Sequence, residues 1–363
     1  RNVLLVELST EKYKKLLEES KNHNINLIQF GIRRPAIWNM NTFKIIKNAK
    51  CDIITPDSLI DSKLKIKIQE QKNLITKQIL ELYRQDEILS QYFSYEGYSF
   101  WCAIKPIIQK LFEKRTERIV RDIQTIKALF QKITIDTAVI PSEIGITEQI
   151  VINESKKHGI KLALLQHGIY YDTKEAKETN LSKGLYPVKS DKFLIWGKVS
   201  ESDSKNNGFI EPTKLKIIGH PGYDSWKPTS IHKDTSCVLL ALSGPDYMFI
   251  QGHQVSDIIK FEKQLEQICK IVTSMKKKLI IKVHPSFLVF DFSEMIKKIS
   301  SDIEIISTGS IMELINSCDV MIATNYTTAI LESYLLQKPV ICLPIIDYNL
   351  GIPTLFDFNA ETN

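Results

Sequence analysis

The sequence lacks the patterns that build a disulfide framework or a structural zinc site. Its six cysteines are widely spaced along the chain, and no CxxC pair or Cys/His cluster occurs. Isolated cysteines of this kind are typical of proteins from reducing compartments. We therefore expect a reduced, cytoplasmic protein that has neither disulfides nor a structural metal.

Long apolar runs are missing as well. No stretch of about 18 apolar residues is present, which is the length that a helix needs to cross a bilayer, and the given residues contain no signal-peptide pattern. The chain starts at Arg1, directly before a strand-like run, which we interpret as a shortened chain or a fragment. If the protein touches a membrane, we expect peripheral contact at the inner face of the cell membrane.

Several catalytic signatures are absent. Without GxxxxGK[ST], a P-loop ATPase is disfavoured, and without GxGxxG after the first strand, so is a dinucleotide oxidoreductase. The nucleophile elbow GxSxG and the kinase signatures do not occur. No Asp-x-Asp motif exists, which argues against a nucleotide-diphosphate site built on paired aspartates and a metal. We therefore expect no metal and no cofactor.

The composition is that of a globular protein with room for two domains. The chain has 363 residues, of which 43% are hydrophobic and 25% charged. The net charge of +6 comes from lysines spread along the chain, so we predict no nucleic-acid partner. This charge suits anionic ligands or an anionic membrane surface.

Short apolar strands alternate with amphipathic helices through most of the chain, a pattern typical of an α/β fold with parallel strands. We predict an N-terminal α/β domain over residues 1–188 and a C-terminal one over residues 189–363. The predicted strands cover residues 3–8, 25–31, 51–55, 137–141, 160–168, 191–197, 214–220, 237–244, 278–285, 303–306, 319–323 and 340–343.

Residues 57–132 interrupt this alternation and predict a helical insertion without strands. Two long basic stretches have helical spacing, and the second begins with the aromatic residues Tyr95, Tyr98, Phe100 and Trp101. Aromatic and basic residues together are found in helices that lie on membrane surfaces. They also occur in helices that pack on their own domain and leave a basic face in solvent. We favour packing and keep membrane contact open.

A polar turn near the C-terminal end of the sequence is the first candidate site. Thr327 and Thr328 follow a buried strand and lead into a helix, and Glu332 lies one turn further on. Ligands of parallel sheets bind at the carboxyl ends of strands, and the amides at a helix start favour a phosphate. Alternatively, the threonines only cap the helix and Glu332 is a solvated residue.

Polar residues end other predicted strands too. His167, His220 and His284 each occupy such an end, where an imidazole could transfer a proton or neutralise a leaving phosphate. Glu143 follows the strand at residues 137–141 and could act as a general base on a hydroxyl. The alternatives are polar loop residues for the histidines and a helix-capping residue for Glu143. Small or polar neighbours at the same strand ends add candidates: Gln166, Gly168, Ser243 and Gly244.

The order of these motifs resembles the two-domain GT-B glycosyltransferases. Residues 164–168 read LLQHG, residues 282–285 read KVHP, and residues 324–332 contain the threonine turn and the glutamate. Within that class the chain is similar to capsule polysaccharide (Kdo-type) transferases and CDP-glycerol glycerophosphotransferases. Their HG and HP pairs match His167-Gly168 and His284-Pro285.

This resemblance implies two Rossmann-like domains that face a central cleft, with the donor on the second domain. It implies transfer of a sugar or alditol-phosphate unit from a nucleotide-activated donor to a glycan or lipid-linked acceptor, in the synthesis of a surface or capsular polymer. Glu143 or His167 would activate the acceptor hydroxyl. The donor would be held by His284, Pro285, Ser310, Thr327, Thr328 and Glu332.

Two other functions remain open on the sequence. UDP-N-acetylglucosamine 2-epimerases share the architecture and an HP-plus-glutamate donor site. Their glycine-rich phosphate turn is replaced here by Asn325, Tyr326, Thr327 and Thr328. The third alternative is a non-catalytic, nucleotide-sugar-binding component of a polymer assembly complex.

Overall fold

A computed structural model describes residues 1–170, 180–181, 184–224, 226–228, 237–243, 255–284 and 291–345. Contacts divide the chain into two compact units. The first unit consists of Arg1–His167, Leu181–Lys205 and Phe209–Gly222. The second consists of Gly168–Asn180, Asn206–Gly208 and Tyr223–Asn363.

The first unit is built on a parallel sheet of seven strands in the order β3-β2-β1-β6-β7-β8-β9. The strands are β1 (Asn2–Val6), β2 (Asn26–Phe30), β3 (Asp52–Ile54), β6 (Thr137–Ile140), β7 (Lys161–Leu165), β8 (Lys192–Ile195) and β9 (Leu215–Ile217). The central strands are largely buried because crossover helices cover parallel sheets on their faces. Since β8 and β9 pair within this sheet, the first unit extends beyond the predicted boundary at 188/189.

The helices around this sheet are α1 (Lys14–Ser20), α2 (Met40–Ala49), α3 (Pro56–Leu59), α7 (Ile146–Lys157) and α8 (Lys198–Asn206). Asn39 caps α2, because its side chain accepts a hydrogen bond from the Thr42 amide while Thr42 bonds back to the Asn39 amide. The apolar faces of α1 and α2 pack with β1 and β2 around Leu17 and Ile45.

The insertion in the first unit contains α4 (Ser62–Tyr83), α5 (Asp86–Tyr92), the hairpin strands β4 (Ser94–Tyr95) and β5 (Tyr98–Ser99), and α6 (Trp101–Lys132). The prediction of no strands over 57–132 was wrong at this hairpin. Glu96 and Gly97 both have positive φ angles, 49° and 83°, which suits the two-residue turns that join antiparallel strands. Helix α6 therefore starts at Trp101, and Tyr95, Tyr98 and Phe100, which the sequence had placed inside a helix, precede it.

Helices α4 and α6 pack side by side. The Lys72 Nζ lies 2.8 Å from Glu117 Oε2, and Gln124 donates to Gln71 at 2.6 Å. At the far end, the Trp101 ring stacks on Phe93 with centroids 5.1 Å apart and lies 5.9 Å from Tyr83. The aromatic head of α6 is thus packed partly within the insertion itself.

The second unit has a parallel sheet of five strands in the order β12-β11-β10-β13-β14. Its strands are β10 (Cys237–Leu242), β11 (Lys278–Val283), β12 (Glu304–Ile306), β13 (Val320–Ala323) and β14 (Val340–Cys342). Its helices are α9 (Val255–Ser274), α10 (Ser293–Ile299), α11 (Ile311–Ser317) and α12 (Thr328–Leu335). The core lies between α9 and the sheet, around Phe261, Leu265 and Leu240.

Both sheets reverse their strand order next to their first strand, between β1 and β6 and between β10 and β13. This is the order of Rossmann-like folds, in which ligands bind at the carboxyl ends of the strands beside the reversal. Each of the predicted strands overlaps a strand of these two sheets. All six cysteines are free thiols. Among the described residues, no helix has both the length and the apolar character needed to span a bilayer.

Candidate functional site

Glu7 occupies the carboxyl end of β1, beside the order reversal of the first sheet. Its carboxylate is buried and accepts hydrogen bonds from the amides of Ile32, at 2.8 Å, and of Arg33 and Arg34, each at 3.0 Å. Its own backbone has a φ of 55°, which is uncommon for a residue with a side chain. Glu7 therefore fixes the loop after β2, although no motif in the sequence indicates this role.

A second buried carboxylate, Glu148 in the first turn of α7, receives the Arg33 guanidinium. Burial raises the pKa of Glu148, the Arg33 charge lowers it, and the charge of Glu7 raises it. A Cβ added at Gly145 would clash with the Glu148 carboxylate, so a side chain there would displace this group. The loops after β1, β2 and β6 are thus joined through Arg33 and two carboxylates.

The predicted base Glu143 is buried after β6, and its carboxylate accepts four hydrogen bonds. Oε2 accepts from the amides of Val188 and Lys189 at 2.9 Å. Oε1 accepts from the Ser190 amide at 2.8 Å and the Ser190 hydroxyl at 2.6 Å. This arrangement makes Glu143 the anchor of the segment that precedes β8.

His167 lies directly after β7, at the same edge of the sheet. Its Nδ1 is buried and has no hydrogen-bond partner among the described residues. Burial lowers its pKa to about 4, the charges of Lys12 and Arg34 lower it as well, and the carbonyl of Pro141 acts in the opposite direction. The imidazole is therefore neutral at pH 7. Its neighbour Gln166 accepts a hydrogen bond from the Trp196 amide at 2.9 Å and so joins the ends of β7 and β8.

His220 lies after β9, with its ring centroid 4.7 Å from that of Trp196. The Gly222 amide donates to its Nδ1 at 3.1 Å. Burial and, to a smaller extent, the Lys12 charge together lower the pKa of His220 to about 3. The first unit thus carries two neutral imidazoles, and Lys12, which the sequence analysis missed, acts on both.

In the second unit, Thr324 joins the ends of β10 and β13. The Ser243 amide donates to Thr324 Oγ1 at 2.8 Å, and that hydroxyl donates to the Ser243 carbonyl at 3.1 Å. Thr327 is the N-cap of α12, with its hydroxyl 3.5 Å from the Ala329 amide. Thr328 is the first residue of that helix. The threonine turn therefore lies at the carboxyl end of β13, as predicted, and this end is beside the order reversal of the second sheet.

Glu332 is buried in α12 and accepts a hydrogen bond from the Tyr223 hydroxyl at 2.9 Å. The alternative that Glu332 is simply a solvated residue is therefore wrong. Tyr223 belongs to the second unit and lies 109 residues before Glu332 in the sequence, which is why no local pattern indicated it.

The ends of β11 and β12 meet at Lys282, which precedes His284 by two residues. Its buried ammonium donates to the carbonyls of Val283 and Ser307, both at 3.0 Å, and burial lowers its pKa. His284 itself is exposed at the end of β11. Ser310 precedes α11, and its hydroxyl makes no capping hydrogen bond to that helix.

For three further predicted site residues, the structure gives little or no detail. Pro285 and Gly244 lie outside the described residues. Gly168 begins the segment that groups with the second unit. Within the described part of the chain, no group of three or more His, Cys, Asp or Glu side chains is placed to hold a metal ion.

Solved structures with the same fold include two nucleotide-sugar enzymes. UDP-GlcNAc 2-epimerase from Neisseria meningitidis, bound to UDP-GlcNAc, aligns with a TM-score of 0.54 and 12% identity over 94% of this chain and 82% of that one. MnaA of S. aureus, in a co-structure with UDP, aligns with a TM-score of 0.53 and 10% identity over 94% and 79%. These alignments confirm the predicted fold class of two Rossmann-like domains.

No curated protein matches the sequence. The sequence profile of the LIC12162 family transferases, in contrast, matches residues 6–349. Because this match spans nearly the whole chain, the protein belongs to the LIC12162 family of transferases.

Proposed function

We propose that the protein is a glycosyltransferase that moves a sugar or alditol-phosphate unit from a nucleotide-activated donor to a glycan or lipid-linked acceptor of surface polymer synthesis. The observation that carries this proposal is the start of α12. There the joined ends of β10 and β13 lead through Thr327 into a helix that holds the buried Glu332 one turn after its start. Family membership gives the reaction class, which is group transfer.

The donor phosphates are proposed to bind at the N-terminus of α12. Amides of a first helical turn point along the axis, and the helix dipole favours a negative charge there. Thr327 and Thr328 would add hydroxyl donors, with Ser310 and His284 on the neighbouring strand ends. In this proposal no metal is needed, because the helix start and an imidazole offset the charge of the leaving phosphate.

Glu332 is proposed to accept hydrogen bonds from the ribose hydroxyls of the donor. A carboxylate is suited to this because ribose presents two adjacent hydroxyl donors. The Tyr223 hydroxyl, 2.9 Å from Glu332 Oε1, would hold the carboxylate in one orientation. Tyr223 thereby acts as a positioning residue in the donor site.

His167 is the better of the two proposed bases for the acceptor hydroxyl. The oxygens of Glu143 already accept four hydrogen bonds, whereas the neutral imidazole of His167 has a buried Nδ1 without a partner among the described residues. A base with a pKa of about 4 is weak, since general bases work best with a pKa near the operating pH. The proposed base therefore needs a bound group that raises its pKa.

A thermal-shift panel with CMP, CDP, UDP and GDP tests the donor site. We expect the nucleotides of one base to raise the melting temperature of the wild-type protein. The same nucleotides should not raise the melting temperature of Glu332→Gln. Glu313→Gln is the matched control, since Glu313 is an exposed acidic residue in the first turn of the neighbouring helix α11. Equal shifts in wild type and Glu332→Gln, or no shift with any nucleotide, would contradict the donor site.

Incubation with UDP-N-acetylglucosamine alone separates transfer from epimerisation. Formation of the epimer without an acceptor would replace the proposed transferase by an epimerase. The variants His167→Ala and Glu143→Ala separate the two enzymes, transferase and epimerase, from a non-catalytic binding component. If these variants still bind the donor and polymer formation is unchanged, the non-catalytic component is favoured.

We also propose that the tip of the insertion, residues 84–112, contacts an anionic membrane. Tyr92, Tyr95 and Tyr98 are 81%, 72% and 82% exposed. Tyrosine is favoured where one end of a side chain is apolar and the other is wet, as at a bilayer surface. Basic residues follow directly behind the tip in α4 and α6, namely Lys77, Lys114 and Arg115. Near an anionic surface each such residue contributes about 1 kcal/mol.

Co-sedimentation with phosphatidylcholine vesicles, with and without phosphatidylglycerol, tests this contact. We expect binding only to the anionic vesicles and a loss of binding in the double variant Tyr95→Ser/Tyr98→Ser. Phe209→Ser is the control, because Phe209 is an equally exposed aromatic residue in another loop. Equal binding of both variants, or none by the wild type, would contradict membrane contact through the tip.

A further inference from the structure

The segment 218–222 runs back along the carboxyl edge of the first sheet. Its strand, β9, is the edge strand, and β6, β7 and β8 lie between β9 and β1. Nevertheless, a Cβ added at Gly222 would lie 2.8 Å from Lys12 Cγ and 3.0 Å from the Lys12 carbonyl oxygen, in the loop after β1. Since Lys12 lies in the loop after a central strand, this loop and the segment after β9 together span the ends of the strands between them.

Local contacts hold this segment in place. The Ile218 amide donates to the Ile195 carbonyl at 2.9 Å, which continues the sheet pairing by one residue. Gly219 has a φ of 75°, a conformation that glycine adopts without strain. The His220 ring then packs against Trp196, and the Gly222 amide bonds to His220 Nδ1. His220 is thereby fixed next to Lys12, with its Cε1 2.9 Å from the position of the added Gly222 Cβ.

This crossing collects cationic and imidazole side chains from four loops of the first unit. Lys12 follows β1, Arg34 follows β2, His167 follows β7 and His220 follows β9. The Lys12 charge acts on both imidazoles, and the Arg34 charge acts on His167. Two acidic side chains of this edge have partners of their own, since Glu7 accepts from the amides of the loop after β2 and Glu148 pairs with Arg33.

We propose that Lys12, Arg34, His167 and His220 form a subsite for a phosphate or carboxylate group in the first unit. This inference rests on the proposed function and deepens it, because it gives the transfer reaction an anion subsite in the first unit in addition to the donor site proposed in the second unit. The group comes either from the donor diphosphate or from an acidic acceptor.

The chemistry of the four side chains suits an anion. Nδ1 of His220 accepts a hydrogen bond from the Gly222 amide, so the neutral ring carries its hydrogen on Nε2. An arginine adds a planar pair of donors that matches a phosphate or carboxylate, and a lysine adds a point charge. Hydrogen bonds of this charged type are stronger than neutral ones.

An anion bound in the subsite would also change the pKa of His167, the proposed base. A negative charge beside an imidazole favours its protonated form and raises its pKa. The bound anion would therefore bring His167 from a weak base toward the range in which histidine transfers protons near neutral pH. Binding of the acidic group and activation of the hydroxyl are linked in this way.

The test is an NMR titration of the histidine Cε1 protons in the full chain with inorganic pyrophosphate at constant ionic strength. We expect the resonances of His167 and His220 to shift saturably and their pKa values to rise. Lys12→Gln and Arg34→Gln should each weaken the affinity about tenfold, the loss expected when one charged hydrogen-bonding group is removed. Lys14→Gln, an exposed lysine two residues from Lys12, should leave the affinity unchanged.

Two outcomes would overturn the subsite. One is that neither histidine responds to pyrophosphate, and the other is that Lys12→Gln and Arg34→Gln both bind it as the wild type does. Displacement of pyrophosphate by CDP or UDP assigns the subsite to the donor, whereas displacement by glycerol 3-phosphate alone assigns it to an acidic acceptor. If pyrophosphate moves both histidines while no nucleotide binds anywhere, the subsite stands and the proposed function fails. If nucleotides bind in a Glu332-dependent manner while both histidines stay unchanged, the proposed function stands and the subsite fails.

Discussion

Buried carboxylates order the loops at the carboxyl edge of the first sheet. Glu7 and Glu143 each accept hydrogen bonds from three consecutive backbone amides, and these amides lie 25–27 and 45–47 residues away in sequence. Backbone amides removed from water need such acceptors, because a buried donor without a partner costs about 1–3 kcal/mol. At the residue scale, the main role of Glu7 and Glu143 is therefore to hold these loops in place.

Replacing Glu143 by Gln tests whether the residue is chiefly an anchor. The amide keeps one oxygen but turns an N–H group toward backbone N–H donors, so we expect a loss of about 2–4 kcal/mol in the free energy of unfolding. Urea unfolding followed by circular dichroism measures this loss, with the exposed Glu211→Gln as control. Unchanged stability together with lost transferase activity would instead support the predicted role as a base.

The two low histidine pKa values predict a pH dependence of stability. In the folded state the pKa values of His167 and His220 are lowered from 6.5 to about 4 and about 3. Between these values and 6.5 the unfolded chain binds more protons than the folded one, so stability falls as the pH is lowered through this window. We expect the urea midpoint to depend less on pH between 6.5 and 4 in His167→Asn and His220→Gln than in the wild type.

The exposed His23 provides the control for this measurement, and His23→Asn should keep the wild-type slope. Carboxylates titrate in part of the same range, so the comparison rests on differences between variants. If the urea midpoint depends on pH equally in the wild type and all three histidine variants, the pH dependence does not come from His167 and His220.

At the scale of elements, the loop after β2 depends on the absence of a side chain at Gly31. An added Cβ would lie 2.2 Å from the carbonyl oxygen of Arg34, a backbone atom, and 3.5 Å from Glu7 Oε2. Since Glu7 bonds to the amides of Ile32, Arg33 and Arg34, the loop cannot move without losing these bonds.

We therefore expect Gly31→Ala to destabilise the protein by about 1–3 kcal/mol, as overpacking against fixed atoms generally does. Gly197→Ala is the matched control, because a Cβ at Gly197 meets nothing within 4 Å. Thermal unfolding of both variants measures the difference. Equal melting temperatures would show that the loop after β2 can move to accommodate the methyl group despite its hydrogen bonds to Glu7.

At the scale of the whole molecule, the outer part of the insertion is separate from the two apolar clusters that pack α1 and α2 on the first sheet and α9 on the second. Neither cluster includes a residue between 74 and 115. Helices α4 and α6 are linked at Lys72 and Glu117, so a short turn could join them just beyond this pair. We therefore expect these two clusters to pack without the outer part.

Replacing residues 74–115 by a short Gly-Ser turn should leave a folded protein. We expect a cooperative unfolding transition with less helical signal in circular dichroism, and nucleotide-induced stabilisation equal to that of the wild type. Binding to anionic vesicles should be lost. An unfolded product would contradict the separation of the insertion from the two cores.

The sequence by itself determined the order of helices and strands, because burial on a sheet or a helix face leaves a local period that can be read directly. It also placed polar candidates such as His167, Thr327 and Glu332 at strand ends and helix starts. It missed the break between α4 and α5. It also missed the hairpin at residues 94–99, which depends on two positive φ angles in a stretch whose aromatic residues suited a helix equally well.

Only the tertiary structure decided what those candidates contact. Tyr223 bonds to Glu332 across 109 residues, and Glu143 reaches the amides of residues 188–190. Lys12 meets Gly222 because a segment returns over the sheet edge, and no local period records such a return. Hydrogen bonds between distant segments depend on the path of the whole chain, which is why the partners of the site residues emerged only from the fold.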